Sequence, residues 1–372
     1  MSPARRPPHS LRRQLPGLLV LAAWMLRLLG LDRLALIGDE AYFFQWGQHL
    51  DWAYYDHPAG IGLLARLSTT LSGQSEFGIR WLNAGVGTLC VILIIWLGER
   101  LFSRAAGLLA GTAVAFGAPY IITSRFLYTD PLHLMALLLS LGAFWQFAHR
   151  GRRADAIFLG LSMCLAVNTK YTAYLFAIAM AVATLLDHRD LLKKQATWWA
   201  FSLALIGLAP VLIWNARHDW ASFAWQLAHL GMPSPGSGTG PLGWRIARNL
   251  SHATVYLTWP MMLGMVAGLR WMRGPAQRLL TLTALAMLAP VAISVAGWGV
   301  RVATAAGAVL GMIALFGFGS LAALHYGAMP DLRSSVVDAI RYDAAGWEDV
   351  AERLPASASI VAVDYSLAGQ LA

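Results

Sequence analysis

Apolar runs recur along this chain, centred near residues 24, 90, 113, 138, 162, 179, 206, 260, 287 and 312, with short polar breaks between them. A helix needs about 20 mainly apolar residues to cross a bilayer, and a backbone inside lipid must satisfy its own hydrogen bonds. The runs therefore predict an all-α polytopic membrane protein of about ten spans, and no alternating barrel pattern competes with them. Only 13% of the residues are charged and 58% are hydrophobic, whereas charged residues make up about a quarter of an ordinary soluble domain. Mean hydropathy is +0.55.

The formal net charge of +9 would suit nucleic acid, but the basic residues sit in connectors. Arg5, Arg6, Arg12 and Arg13 precede the first span, and Arg100 and Arg104 follow the second. Arg150, Arg152 and Arg153 follow the fourth; Arg189, Lys193 and Lys194 the sixth; Arg270, Arg273 and Arg278 the eighth. That alternation is the positive-inside pattern, and it puts the N-terminus in the cytoplasm. The first span, near 15–31, lacks a convincing cleavage site and reads as a retained anchor. Cys90 and Cys164 both fall inside predicted spans and read as small apolar fillers rather than a disulfide or metal pair.

Two outer segments are long, 32–78 and 215–249, and the second carries the Gly/Pro/Ser-rich MPSPGSGTGPLG of a loop. Residues 1–324 form the membrane domain on this reading. From 325 to 372 the chain changes character: one amphipathic helix and the strand SIVAVDYSL read as an incomplete α/β segment, because a lone strand makes no sheet.

The first outer segment holds GDEAYFFQWGQHLDWAYYDHPAG, residues 38–60, where acids and histidines are interleaved with aromatic rings. Asp39 is placed to cap a helix, with Tyr42, Phe43, Trp46 and Leu50 on one face suited to the headgroup region. Pro58 suits the first turn of a second helix. Taken singly, Asp51 and Asp56 are ordinary solvated charges. Ionisable groups gathered at a membrane edge are functional candidates.

The stretch DEAYFFQWGQHLDWAYYDHP resembles the first outer loop of the bacterial family 39 glycosyltransferases, the group that includes dolichyl-phosphate-mannose-protein mannosyltransferases and is related to the aminoarabinose transferases of lipid A. SEFGIRWLN at 75–83, YTDPLHLMALLLSLGAFW at 128–145, NTKYTA at 168–173 and LIWNARHDWASFAWQLAH at 212–229 extend the resemblance. It implies a GT-C helical bundle in a bacterial inner membrane, acting at the outer face on a polyprenyl-phosphate sugar and an extracytoplasmic acceptor, with inversion. Asp39 matches the acid taken in the family as catalytic base. Glu40, Tyr42, Tyr55, Asp56, His57, Asp130, Lys170, Arg217 and His218 form the expected set for binding donor, phosphate or acceptor. Residue type alone also allows Asp130 to be a helix cap and Lys170 to snorkel to the interface. A divalent metal is compatible with the acids and histidines, but no spacing requires one.

Two features depart from the family. The SVAGWGVR junction, near 293–302, is shorter than a longer outer loop and further span would need, and ten spans leave the tail in the cytoplasm. A truncated, inactive relative is therefore one alternative. A transporter or lipid flippase is another, against which stand the lack of an internal repeat and the placing of acids at the outer edge rather than mid-membrane.

Overall fold

The computed structural model describes residues 9–231 and, beyond them, 274–276, 278–280 and 282–283. The spans expected near 260, 287 and 312, the 293–302 junction and the 325–372 segment lie outside the described residues. The 215–249 segment is described as far as 231.

Helices form at each of the first seven apolar centres. In order they are α1 (His9–Leu28), α2 (Gly38–Gln48), α3 (Gly60–Ser72), α4 (Glu76–Leu101), α5 (Arg104–Phe116), α6 (Ala118–Arg125), α7 (Thr129–Arg150), α8 (Arg153–Val167), α9 (Ala173–Asp187), α10 (Gln195–Ile206), α11 (Ala209–Arg217) and α12 (Ala221–Gly231). A 3-10 turn, Arg189–Lys193, joins α9 to α10. Among these, α4, α7 and the run Gln195–Arg217 are long and apolar enough to cross a bilayer. The pair α5 and α6 makes a fourth if it counts as one span broken by a 63° bend. The only β pairing among the described residues is an isolated bridge between Ala53 and Pro58.

Small residues let the helices approach closely, which is how spans associate where lipid supplies no hydrophobic drive. Where α4 crosses α5, a Cβ on Gly98 would lie 2.5 Å from the Cα of Gly107, so backbone meets backbone. The main core lies between α4, α7, α8 and α9, built on Leu97, Leu137, Phe144, Met163 and Phe176. Successive spans alternate in direction, so their connections gather at two ends.

One end is basic. It holds the turns at 101–104, 150–153 and 187–195, where Arg153 lies 5.5 Å over the ring of Trp199 and Lys194 6.0 Å over that of Phe147. The opposite end holds α2, α3 and the turns at 126–128, 168–172 and 218–220.

At this second end a buried ion pair ties four segments together. Arg80, on α4, donates from Nε to Glu40 Oε1 at 2.8 Å and from Nη2 to Oε2 at 2.6 Å. Its remaining donors go to the carbonyls of Leu31 (2.6 Å), Leu34 (2.7 Å) and Ala35 (2.8 Å). Glu40 also accepts from the backbone N–H of Leu127 at 2.8 Å and of Ile37 at 3.2 Å. Glu40 is fully buried and Arg80 nearly so. Every strong donor and acceptor of the pair is used, as two charges withdrawn from water require.

Two further arginines serve this end. Arg27 donates to Ala23 O, Ala115 O and Ser124 Oγ, and Arg125 to Leu26 O and Leu29 O. The sequence reading assigned basic residues to connectors, and that holds for the basic end. It is corrected at the other, where Arg80 and Arg125 take up carbonyls that the end of α1 and the following link leave unpaired and Arg27 ties α1 to α5 and α6.

Arg80→Ala leaves Glu40 charged, buried and unmatched. The expected cost is about 3–5 kcal/mol, seen as a clear fall in thermal unfolding temperature in detergent. Unchanged unfolding would show that the pair does not hold this end.

Candidate functional site

The site grows from the first turn of α2. Ile37, in extended conformation, occupies the N-cap. The expectation that Asp39 caps the helix is therefore corrected: Gly38, Asp39 and Glu40 form the first turn, and Glu40 takes the N–H of Ile37. Asp39 is half-buried, at a position where the helix dipole favours a carboxylate. Three residues on, and so on the same side of the helix, the Tyr42 hydroxyl donates to Asp56 Oδ1 at 3.3 Å.

The expected headgroup face divides. Phe43 (5% exposed) and Trp46 (7%) are core residues; Trp46 stacks on Tyr54 at 4.1 Å and Phe43 on His57 at 5.9 Å. Leu50 lies past the helix end and is exposed. The aromatics thus pack within the protein, because α3 and the 53–58 bridge cover them. Pro58 is likewise corrected: it precedes the N-cap Ala59 instead of starting α3.

Gly60 fixes this loop to the next turn. Its N–H donates to Asn168 O at 2.8 Å, and a Cβ there would lie 2.6 Å from the same oxygen. Only glycine admits that approach, which brings His57 beside the 168–172 turn.

That turn carries Lys170, whose Nζ donates to Asp130 Oδ1 at 2.7 Å. Asp130 is in the first turn of α7 and does not cap it; Tyr128 is the N-cap. Burial pushes the His57 imidazole below its ordinary value; the Lys170 ammonium adds to this and the Asp56 carboxylate opposes it. His57 Nδ1 lies 2.6 Å from Asp56 O, so a neutral ring donates there and leaves Nε2 for another partner.

Beneath the pair, buried His133 cross-links α7 to the same turn. Its Nδ1 is 2.7 Å from Thr169 Oγ1, and its Nε2 is 3.0 Å from Thr172 Oγ1. Thr169 gives its own proton to Ala166 O at 2.6 Å, so it accepts from His133 Nδ1–H. The neutral ring then accepts from Thr172.

The α11–α12 corner closes over the loop. Asp219 and Trp220 take positive φ of 50° and 60°, uncommon for residues with a side chain. Gln226 Nε2 donates to Asp56 O at 2.8 Å, Trp214 Nε1 donates to Asp51 Oδ2 at 3.0 Å, and the hydroxyls of Tyr171 and Ser222 pair. Asp51, read from sequence as a solvated charge, is thus a latch between loop and α11. Tyr55 is exposed and meets Trp225 edge-on at 6.3 Å.

Asp39, Tyr42, Asp56, His57, Asp130 and Lys170 therefore share one end of the bundle. Glu40 lies beneath them, committed to Arg80. Arg217 and His218 are exposed at the end of α11, and His218 turns back on Trp214, with Nδ1 2.8 Å from its carbonyl. No contact among the described residues joins either to the Asp130–Lys170 pair. Among the described residues, no three His, Cys, Asp or Glu side chains gather in a metal cluster. The sequence reading missed Arg80, though an arginine in an apolar helix was the available signal. It also missed His133, which stands in YTDPLHL beside the chosen Asp130. Gln226 carried no signal, since its partner is a backbone carbonyl 170 positions away.

Residues 56–214 match the family model described as dolichyl-phosphate-mannose-protein mannosyltransferase. The lipid A galacturonosyltransferase RgtD of Rhizobium johnstonii is 29% identical over 221 residues, 55% of this chain and 44% of that protein. The chain thus spans less than half the length of that curated relative. ArnT from Cupriavidus metallidurans, solved with undecaprenyl phosphate, aligns at a TM-score of 0.54 and 16% identity over 95% of this chain and 84% of its own. The archaeal oligosaccharyltransferase AglB from Archaeoglobus fulgidus, solved with an inhibitory peptide and a dolichol-phosphate, aligns at 0.52 and 13% over 93% and 59%. These likenesses show the fold.

His133→Leu removes both links between α7 and the Lys170 turn. It is expected to lower stability by about 1–3 kcal/mol and to raise hydrogen exchange at 168–173. Unchanged exchange there would show that the turn is held without it.

Proposed function

We propose that this chain, whose GT-C fold and family match support membership of glycosyltransferase family 39, is a membrane glycosyltransferase acting on a polyprenyl-phosphate sugar. The supporting observation is the gathering of Asp39, His57 and the Asp130–Lys170 pair at one end of the bundle, opposite the basic turns. By the positive-inside rule the basic end faces the cytoplasm, so the reacting end faces outward, toward an extracytoplasmic acceptor.

On this reading the acceptor hydroxyl oxygen attacks the anomeric carbon of the sugar. The bond from that carbon to the phosphate oxygen breaks with inversion, and the lipid phosphate departs with the bonding electrons. Asp39 takes the hydroxyl proton as the attack proceeds; an ionised carboxylate suits that work. Charge then grows on the phosphate, where preorganised cations and donors stabilise it. Lys170 supplies the ammonium, and Asp130 holds it in place until phosphate arrives. Once protonated, His57 donates Nε2–H to the same oxygens while Nδ1–H stays on Asp56 O. Tyr42 fixes Asp56 and thereby the His57 loop.

Glu40, expected beside Asp39 in the binding set, becomes in this reading the residue that aims α2. Neighbours on a helix point about 100° apart, so Glu40 can be anchored below while Asp39 is turned toward the ligand. Arg217, His218 and Tyr55 remain available at the rim for the acceptor.

Asp39→Asn keeps shape and removes the base. Transfer from a polyprenyl-phosphate sugar is expected to fall at least about 100-fold while thermal unfolding stays put. Full activity would remove Asp39 from the mechanism.

A lipid phosphodiester favours protonated His57. Because burial lowers the ring's pKa, it is neutral at pH 7 and gains its proton as pH falls. Donor binding is expected to tighten from pH 7.5 to 5.5 in wild type and to lose that dependence in His57→Gln. A pH response that survives the substitution would assign it elsewhere.

A further inference from the structure

The basic end holds a cavity unrelated to the proposed reaction. It lies between the last turns of α4 and α7, measures about 230 Å³, and is lined by Trp96, Leu97, Arg100, Trp145, Gln146, His149 and Arg150. About eight liquid waters would fill that volume, enough for a phosphate and the first atoms attached to it.

Its charge is one-sided. Arg100 has no hydrogen-bond or ion-pair partner among the described residues, and Arg150 donates only to the neutral Gln146, at 2.8 Å. The neighbouring carboxylate, Glu99, is not in the lining and lies 3.8 Å from Arg104 on α5. No acid lines the cavity. Two arginines at helix C-termini also favour the helix dipoles, which accounts for their type. It does not account for a cavity left open between them and lined by two indoles.

The apolar part has the matching form. Trp96 closes against α7, where a Cβ on Gly142 would lie 2.5 Å from its ring. Trp145 is covered by the His149 imidazole at 4.0 Å. Both α4 and α7 are membrane-length helices that end here, so the cavity sits where a bilayer's headgroups meet its acyl chains, the depth tryptophan prefers.

We propose that this cavity binds the headgroup of an anionic membrane phospholipid. Arg100 and Arg150 take the phosphodiester oxygens, Gln146 and His149 reach the polar substituent, and Trp96 and Trp145 lie along the start of the acyl chains. Basic pockets between spans on the cytoplasmic side are suited to such headgroups. The site is independent of the transferase reading, since it uses none of those residues and lies at the opposite end.

The test uses the full chain in detergent, with dioleoyl phosphatidylglycerol against dioleoyl phosphatidylethanolamine and native mass spectrometry of bound lipid. Wild type is expected to prefer the anionic lipid about tenfold, and Arg100→Gln/Arg150→Gln to reduce that below about twofold. The control Arg189→Gln/Lys193→Gln removes equal charge from the same end outside the cavity and should keep the preference. Equal binding of both lipids by wild type overturns the proposal, as does an equal loss in the control, which would mean general surface attraction. If the cavity variant does not fold, a photoreactive phosphatidylglycerol on wild type decides. Crosslinks within 96–100 and 145–150 support the site, and crosslinks elsewhere overturn it.

Discussion

The chemistry-bearing end of this molecule depends on one buried ion pair. Glu40 and Arg80 are 40 residues apart, yet their bidentate contact fixes α2 to α4. Their spare donors and acceptors collect backbone groups from the 31–37 link and the 126–128 turn. Those segments are irregular chain beside a bilayer, where an unpaired peptide group has no water to turn to. An apolar pair of the same volume could fill the space but could not take up three carbonyls and two N–H groups. The charge is needed for what it binds in the backbone more than for its own attraction.

Around that pair, the site is assembled by contacts that act at long sequence separation. Gly60 reaches the 168 turn, Asp130 reaches Lys170, and Gln226 reaches the loop carrying Asp56. Each contact holds one segment of this end to another distant in the chain. His133 lies beneath them with both nitrogens occupied, holding the turn that presents Lys170. The Lys170 ammonium is thus fixed from two sides, by Asp130 and by the turn that His133 holds.

The sequence made the helices legible because lipid allows little else: an apolar run of the right length has to be a helix, and the first seven runs are. Local starts were less legible. Asp39 has the right residue type for a cap, but Ile37 precedes it in extended conformation and Glu40 already serves that N–H. Pro58 falls two residues early because the Ala53–Pro58 bridge takes it into the loop. The pairing of Asp130 with Lys170 was beyond spacing arguments, since it joins two turns 40 residues apart. Arg80 was readable in principle: an arginine between isoleucine and tryptophan in a spanning helix demands a buried acid, and only a few acids lie at that end.

The two ends hold several of their cations differently: bound within the chain at one, resting on aromatic rings or paired with exposed acids at the other. At the end carrying α2 and α3, Arg27, Arg80, Arg125 and Lys170 are bound to carbonyls or carboxylates within the chain. At the basic end Arg153 and Lys194 rest on aromatic rings, and Arg100 and Arg150 border an acid-free cavity. The positive-inside bias counts lysines and arginines in short connectors, with acids contributing little, so it rests on the connectors at 100–104, 150–153 and 189–194. Pairing Lys170 with Asp130 and Arg80 with Glu40 leaves that bias unchanged and instead joins the 168–172 turn to α7 and α2 to α4.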